Sequence, residues 1–438
     1  MNQNSPSEVG GEAPPRRPPG DAVPDAALDR SYRTLFAIPS IGRIVFAMTM
    51  ARLASSMVSV AVILFSLTRY GSPVLTGIVT FASLAPAVLA SPLAGALLDR
   101  HGRARLVILD YLVGAGAMVL LATLAALDVL TPVLLVLIVA IAALTNPLGN
   151  SGVRTLLPVL VPQRLWPRVN AVDANSYVLA QLIGPPLAGV LIGLAGPVVG
   201  LTLIGGMLAL AAVFTIGIPE PGMGSDSTGR LLLDARNGLM YVVRNRTLRG
   251  IAIAMSTLRF GSGVQAIVMP VIVVQVLGLG PAVVGFAWGT SAIAGFLAAM
   301  LFGRVETAGR ERKIVALCWG GMSLGVGLLL GASHVAVVFL AMAVTGALNG
   351  PADVTMFTLR QRRTDPAWFG RAFAVSAAFN FAGFPIGAAV AGAVVQQALA
   401  AAIVVGVVMC LLGGLFAWFL IPQTDEPLPG SRRTSVRN

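Results

Sequence analysis

Apolar runs of roughly 20 residues follow one another from Ile44 to Ile421, separated by short polar breaks. Such a run is too long for a buried core strand and matches a helix crossing the ~30 Å hydrocarbon layer of a bilayer. Lipid offers the backbone no hydrogen-bond partner, so a spanning segment must satisfy its own amides. Unbroken apolar runs do this as helices rather than as the alternating strands of a barrel. The sequence therefore predicts an all-α integral membrane protein. Twelve runs are read, near 44–67, 74–98, 106–126, 132–156, 170–193 and 198–217, then near 250–274, 281–303, 314–331, 335–356, 371–394 and 398–421. The charged fraction of 11% is well below that of soluble chains and excludes a soluble enzyme.

The formal net charge of +12 raises nucleic acid as a partner, and the placement of the charge answers it. Arg69 is the one basic residue in a loop placed outside, and Arg52 and Arg259 fall within spans. Nearly all the others lie in termini or in hairpins that an even span count puts on one side. By the positive-inside bias both termini are cytoplasmic, in a multi-pass protein of the cell membrane. The basic surface then faces anionic lipid headgroups, and nucleic acid is not a partner.

Scarcity removes several chemistries. Lys313 is the sole lysine and is followed by Ile314, so no phosphate-binding Gly-Lys-Ser/Thr loop exists. The histidines are His101 and His334 only, and Cys318 and Cys410 lie far apart. No metal site, cofactor, disulfide framework or catalytic cluster is expected, and an enzyme is not. Work done by this chain must draw on an ion gradient, a substrate gradient or a partner.

Residues 1–43 are rich in Pro, Gly and charge and are expected to form a disordered cytoplasmic tail. The first apolar run begins too late for a cleaved signal peptide. A six-helix unit at 44–217 is followed by a linker at 218–248, opening on Pro219, Pro221, Gly222 and Gly224. Leu231–Leu233, Leu239, Met240, Val242 and Val243, set among Asp234, Arg236, Arg244 and Arg246, suit an amphipathic helix on the cytoplasmic interface. A second unit covers 249–421, and a polar tail covers 422–438.

The two units repeat one another. An offset of 207 aligns Arg52 with Arg259, Ser55 with Ser262, Asp99 with Glu306, Gly102 with Gly309, Arg103 with Arg310 and Arg105 with Arg312. An offset of 203 aligns Asn146 with Asn349, Thr155 with Thr358, Arg168 with Arg371, Gly184 with Gly387 and Gly189 with Gly392. Matched arginines and glycines at constant offsets describe two parallel six-helix repeats, an arrangement found in transporters.

Gly95-x-x-x-Asp99-Arg100-x-Gly102-Arg103 after the second span, its degenerate copy Glu306-x-x-Gly309-Arg310-x-Arg312 after the eighth, and the six-plus-six plan resemble the major facilitator superfamily over nearly all of 44–421. Arg52-Leu53-Ala54-Ser55, Leu156-Leu157-Pro158 and Ile183-Gly184-Pro185-Pro186-Leu187-Ala188-Gly189 resemble its drug and siderophore efflux branch, including macrolide-efflux-like and enterobactin-exporter-like proteins. The resemblance implies two pseudo-symmetric six-helix bundles and an alternating-access secondary transporter. Its implied work is proton-coupled efflux of a drug-like or siderophore-like small molecule. The alternatives are an importer or facilitator of a small metabolite, anionic ones included, and, from another class, a non-transporting receptor or scaffold.

The resemblance further implies a cytoplasmic gate of Gly95, Asp99, Arg100, Gly102, Arg103 and Arg105 with Glu306, Gly309, Arg310 and Arg371. Asp99 would meet the start of span eleven at 370–372, and Glu306 the start of span five at 167–169, where exposed helix N–H groups favour negative charge. The bland alternative is a turn carrying topology-setting arginines. Ala104 departs from the pattern, since the family usually has a second basic residue there, and Arg105 stands beside it. Gly184, Pro185, Pro186 and Gly189, with Gly387 and Gly392 in span eleven, read as bent, closely packed helices or as ordinary membrane packing.

Arg52 and Arg259 lie within their spans, where a charge is costly and suggests function. They bind an anionic substrate in the cavity, or they pair with Asp173 or Asp353 as part of the gate. Proton coupling requires an intramembrane carboxyl, for which Asp353 ranks ahead of Asp110, with Asp173 third. Asn146 and Asn349, like Gln265, are polar span positions that hydrogen-bond either substrate or a neighbouring helix.

Overall fold

The computed structural model describes residues 31–219, 239–364 and 369–423; the side chains of residues 92, 96, 99 and 369–381 fall outside that description. The described residues are helical and contain no strand. A short α1 (Tyr32–Phe36) precedes α2 (Ile41–Tyr70), α3 (Pro73–His101), α4 (Arg103–Ala126) and α5 (Pro132–Leu160). Trp166–Thr215 is one helical run that Gly196, at φ 83°, breaks into α6 (166–195) and α7 (197–215). Then come α8 (Arg246–Val271), prolonged by a π-helical turn Ile272–Val276, α9 (Pro281–Phe302) and α10 (Glu311–Leu328). The last three are α11 (Val335–Arg363), α12 (Phe369–Val395) and α13 (Leu399–Leu420).

Local chemistry sets these boundaries. Ser72 Oγ accepts the Leu75 N–H ahead of Pro73, Thr131 Oγ1 accepts the Leu134 N–H ahead of Pro132, and Asn245 Oδ1 accepts the Leu248 N–H. Each satisfies an orphan amide of a first turn, where proline is tolerated. Ten runs among the described residues are long and apolar enough to cross a membrane, one of them holding both α6 and α7. The described part of α12 adds the apolar stretch Ala382–Val395, so α2 to α13 correspond to the twelve expected spans.

Several boundaries differ from the sequence reading. Helix forms at Tyr32–Phe36 and again from Ile41, inside the stretch read as a tail, where Leu35 is fully buried. The expected hairpin after span two is one residue deep: α3 runs to His101 and α4 starts at Arg103, with Gly102 at φ 92° between them. Glycine adopts that conformation without the steric cost a Cβ would bring. Of the expected linker, 220–238 lie outside the described residues, while 239–244 are helical. There Val242 is buried and Leu239, Met240 and Val243 are exposed.

In the first half α2 packs on α6, α3 on α5, and α4 on both α5 and α7; in the second α8 packs on α12 and α13, α9 on α11, and α10 on α11 and α13. The halves meet through α3 against α12 and α6 against α9, a pair of contacts that the repeat interchanges. Lipid tails are as apolar as leucine, so such helices are held by close packing of small residues. A Cβ on Gly184 would lie 2.5 Å from Ser56 Oγ of α2, and one on Gly387 would strike the Phe260 carbonyl of α8. We call the face bearing the start of α2 and the end of α13 the base, and the opposite face the top.

Candidate functional site

The densest polar cluster lies inside the first half. Arg52 reaches from α2 to a single turn of α6: its Nη2 donates to Asp173 Oδ1 at 2.6 Å, and its Nη1 donates to the Asp173 carbonyl at 2.6 Å and to Ser176 Oγ at 2.5 Å. The side chains are 8% and 17% exposed, so Arg52 is buried and Asp173 partly so. Arg154 of α5 brings its Nε to 3.6 Å from the other carboxylate oxygen. Two cations thus face Asp173, and the hydrogen-bonded one is Arg52.

Beside it a narrow pocket, whose free space takes about one water molecule, is lined by Arg52, Ser55, Asp110, Tyr111, Asn146 and Asn150 among others. Asp110, from α4, accepts the Thr145 hydroxyl at 2.8 Å. Its other oxygen lies against Gly149, where a Cβ would overlap it. Asn150 donates to Asn146 at 2.9 Å, so that asparagine serves a same-helix contact at the pocket wall.

The second half holds a related but unequal cluster. Asn349 Nδ2 donates to Asp353 Oδ2 at 2.7 Å, one helical turn away on α11. Arg259 and Arg360 are the cations whose fields act on Asp353, and Arg259 Nε makes no hydrogen bond. Gln265 donates to Thr345 Oγ1 at 3.1 Å and links α8 to α11 rather than facing a cavity. The inequality is written in the repeat: the residue aligned with Asp173 is Ser376, and the one aligned with Asp353 is Asn150. The carboxylate on the arginine's side of each half is therefore on α6 in one and on α11 in the other, and an ion pair is formed in the first.

At the base the expected gate is only partly described. The Asp99 and Arg371 side chains lie outside the described residues. Gly95 is half-buried, Arg100 and Arg105 are exposed, and Arg103 Nη1 donates to the Thr155 carbonyl at 2.9 Å, within the first half. The expected approach of Glu306 to the start of α6 is not present: among the described residues Glu306 is exposed and makes no ion pair. α9 ends at Phe302, and the loop leading to the turn at Gly309, φ 74°, leaves Glu306 in solvent; Arg310 beside it is exposed too. The engaged carboxylate here is Glu311, buried at the first turn of α10 and 2.5 Å from Arg362 of α11. The sequence reading did not single it out; an acidic first-turn residue on its own answers the helix dipole and carries no signal of a partner on α11.

Toward the top the halves touch through backbone. A Cβ on Gly189 of α6 would lie 2.7 Å from Gly285 Cα and 2.9 Å from the Pro281 carbonyl of α9. A Cβ on Gly392 of α12 would lie 3.0 Å from Gly77 Cα and 2.6 Å from the Pro73 carbonyl of α3. Pro73 and Gly77 align with Pro281 and Gly285 at an offset of 208, so the crossings are symmetry mates of one another. Gln275, in the π-helical turn, donates to the Gly71 carbonyl at 3.1 Å and adds a polar tie between the halves. Gly77 and Gly285 belong to no motif and were missed, although the shared Pro-x-x-x-Gly after a turn was visible.

Comparison with known proteins matches this architecture. The family model of the Major Facilitator Superfamily fits residues 44–258 and again residues 251–437. An uncharacterized MFS-type transporter, y4rN, of Sinorhizobium fredii is 36% identical over 91% of this chain and 98% of its own. The multidrug efflux pump Tap of Mycobacterium tuberculosis is 27% identical, covering 88% and 96% respectively. Macrolide efflux protein A of Streptococcus pyogenes is 21% identical over 76% and 84%. Among solved structures, the nucleoside transporter NupG superposes with a TM-score of 0.68 over 88% of this chain and 99% of its own, at 13% identity. A bacterial homolog of the human lysosomal transporter Spinster, inward-facing and unoccupied, gives 0.67 over 90% and 98%, also at 13% identity. At that identity the likeness speaks for the fold alone.

Proposed function

The chain belongs to the major facilitator superfamily, a multi-pass membrane transporter of a small molecule, and from that premise we propose that it is a proton-coupled exporter of drug-like or siderophore-like compounds working by alternating access. The observation that carries the reading is the pair of glycine crossings. Two halves that meet at symmetry-related backbone contacts separate or close as rigid bodies, which is what alternating access requires. Export as the direction is supported by the relatives called efflux pumps.

In this reading the base is cytoplasmic, in keeping with its arginines, and both termini lie there. The top faces outward, and the glycine crossings hold it shut. Asp99 and its neighbouring arginines close the base in the alternate state, a role taken from family resemblance. Asp99→Asn should lower transport with expression intact, and unchanged transport would remove Asp99 from the gate. Asp110 and Asp353 are the carboxyls proposed to carry protons. Asp110 sits at a water-sized pocket, which favours it as the exchanging group over the order suggested by sequence.

Arg52 is engaged by Asp173 and Ser176 here, so in this state it does not present a free guanidinium to an anionic substrate. Uptake of a small anionic metabolite therefore rests on Arg259 alone, whose Nε has no hydrogen bond. Cells expressing the protein should retain less of a macrolide or a fluorescent drug-like dye than cells lacking it, and a protonophore should abolish the difference. Equal retention in both would remove the export reading.

A further inference from the structure

We propose that Arg52 is a positioning residue shared between two carboxylates, Asp173 and Asp110, and that its transfer between them carries the coupling event into α6. The inference rests on the proton-coupling reading above and adds the group that transmits it. Arg52 grips one turn of α6 by three hydrogen bonds, while its side chain also lines the pocket occupied by Asp110. Asp173 has a second cation in reserve, Arg154 at 3.6 Å, so Arg52 can leave without stranding that carboxylate. Asp110 has a neutral partner, Thr145, on one oxygen and Gly149 against the other; the basic residue whose side chain lines its pocket is Arg52.

The charged and titratable groups around Asp110 are few. Lining its pocket they are Arg52 from α2 and Tyr111 on α4 itself; Asp173 of α6 and Arg154 of α5 connect to it only through Arg52 and Asp173 respectively, and α7, also packed on α4, carries none. When Asp110 holds a proton taken from pocket water it is neutral, and Arg52 stays on Asp173. When the proton returns to water, Asp110 is an anion, Arg52 turns to it, and Asp173 is left to Arg154. The consequence reaches the interface because α6 carries both ends of the link. Gly189, which crosses Gly285, lies 16 residues beyond Asp173, about 24 Å along the same helix. Loosening α6 at the Asp173 turn alters its tilt at the crossing. The second half lacks the device, since Leu317 aligns with Asp110 and Ser376 with Asp173.

The test uses the full chain in lipid nanodiscs with spin labels at Leu127→Cys and Ser333→Cys, top loops of the two halves, after replacing Cys318 and Cys410 by serine. The distance between labels is measured at acid and at alkaline pH. The expected result is a pH-dependent shift that Asp110→Asn and Arg52→Gln each abolish and Arg52→Lys retains. Asp173→Asn, which leaves Arg52 free of its first partner, should hold the alkaline distribution at both pH values. A full shift in Arg52→Gln, with loss in Asp110→Asn, overturns the sharing of Arg52 and leaves Asp110 as coupling group. A full shift in Asp110→Asn, or none in the parent protein, overturns the coupling reading at Asp110 itself. Should the Arg52 variants fail to fold, a normal shift in Asp173→Asn suffices to overturn the proposal.

Discussion

Gly189 and Gly285 pass so closely that a Cβ on the first would lie 2.7 Å from the Cα of the second. Neither position tolerates a side chain while the halves remain in this contact, and the symmetry mate at Gly77 and Gly392 carries the same restriction. The contact is backbone on backbone, so no rotamer change can relieve it.

The first prediction follows from that rigidity. Gly189→Leu or Gly285→Leu should disfavour the closed top by about 1–3 kcal/mol, the usual cost of overpacking, with little effect on an open top. Transport should fall, and a cysteine placed in the top half of the cavity should react faster with a membrane-impermeant thiol reagent. Unchanged transport and labelling would show that the crossing does not open.

Gly149→Ala tests the seat of Asp110. The added methyl collides with a movable carboxyl rather than with backbone. Stability should change by about 1 kcal/mol or less, whereas pH-gradient-driven transport should drop severalfold as the carboxyl leaves Thr145. A large loss of thermal stability with normal transport per folded molecule would contradict this.

Ion-pair energetics supply the third. Asp173→Leu should destabilise the purified protein by about 3–5 kcal/mol, because it takes from Arg52 its hydrogen-bonded carboxylate, and Arg52→Met by less, because Arg154 stays 3.6 Å from Asp173. The double variant should recover much of that loss, a coupling that thermal unfolding of the four proteins would measure. Additive losses would mean that the two side chains do not depend on one another.

Asp353 stands apart from the pocket of the first half, and its role is separable. Asp353→Asn should impair gradient-driven transport while substrate counterflow continues, since exchange needs no net proton movement. Loss of neither activity would exclude Asp353 as a coupling group.

Much of this was legible before the structure, and the physics explains which parts. Spans and their repeat are local properties: twenty apolar residues and internally satisfied amides specify a helix wherever it packs. The seam between halves is not local. Gly189 stood out through its motif, but Gly285 had no signal of its own until α9 was seen against α6. Arg52 was visibly out of place in a span, and Asp173 was one of the two carboxylates offered as partners; the choice between them, and the added bond to Ser176, came only with the packing of α2 on α6. Thr145 and Gly149 look like ordinary membrane-helix residues, and only the carboxyl of Asp110 lying against them gives them a role. Glu306 shows the converse: the repeat matches it to Asp99, while its own loop leaves it exposed in this structure.

The most direct test of proton-coupled export uses the purified chain in inside-out proteoliposomes, with the base facing the bath. Macrolides, other drug-like amphiphiles and small anionic metabolites are offered with and without an acidic lumen. Proton-coupled export predicts that an acidic lumen drives at least one drug-like compound inward against its gradient, that collapsing the gradient stops it, and that Asp110→Asn removes the drive. Accumulation of the anionic metabolites alone, or drug movement indifferent to the pH gradient, would contradict it.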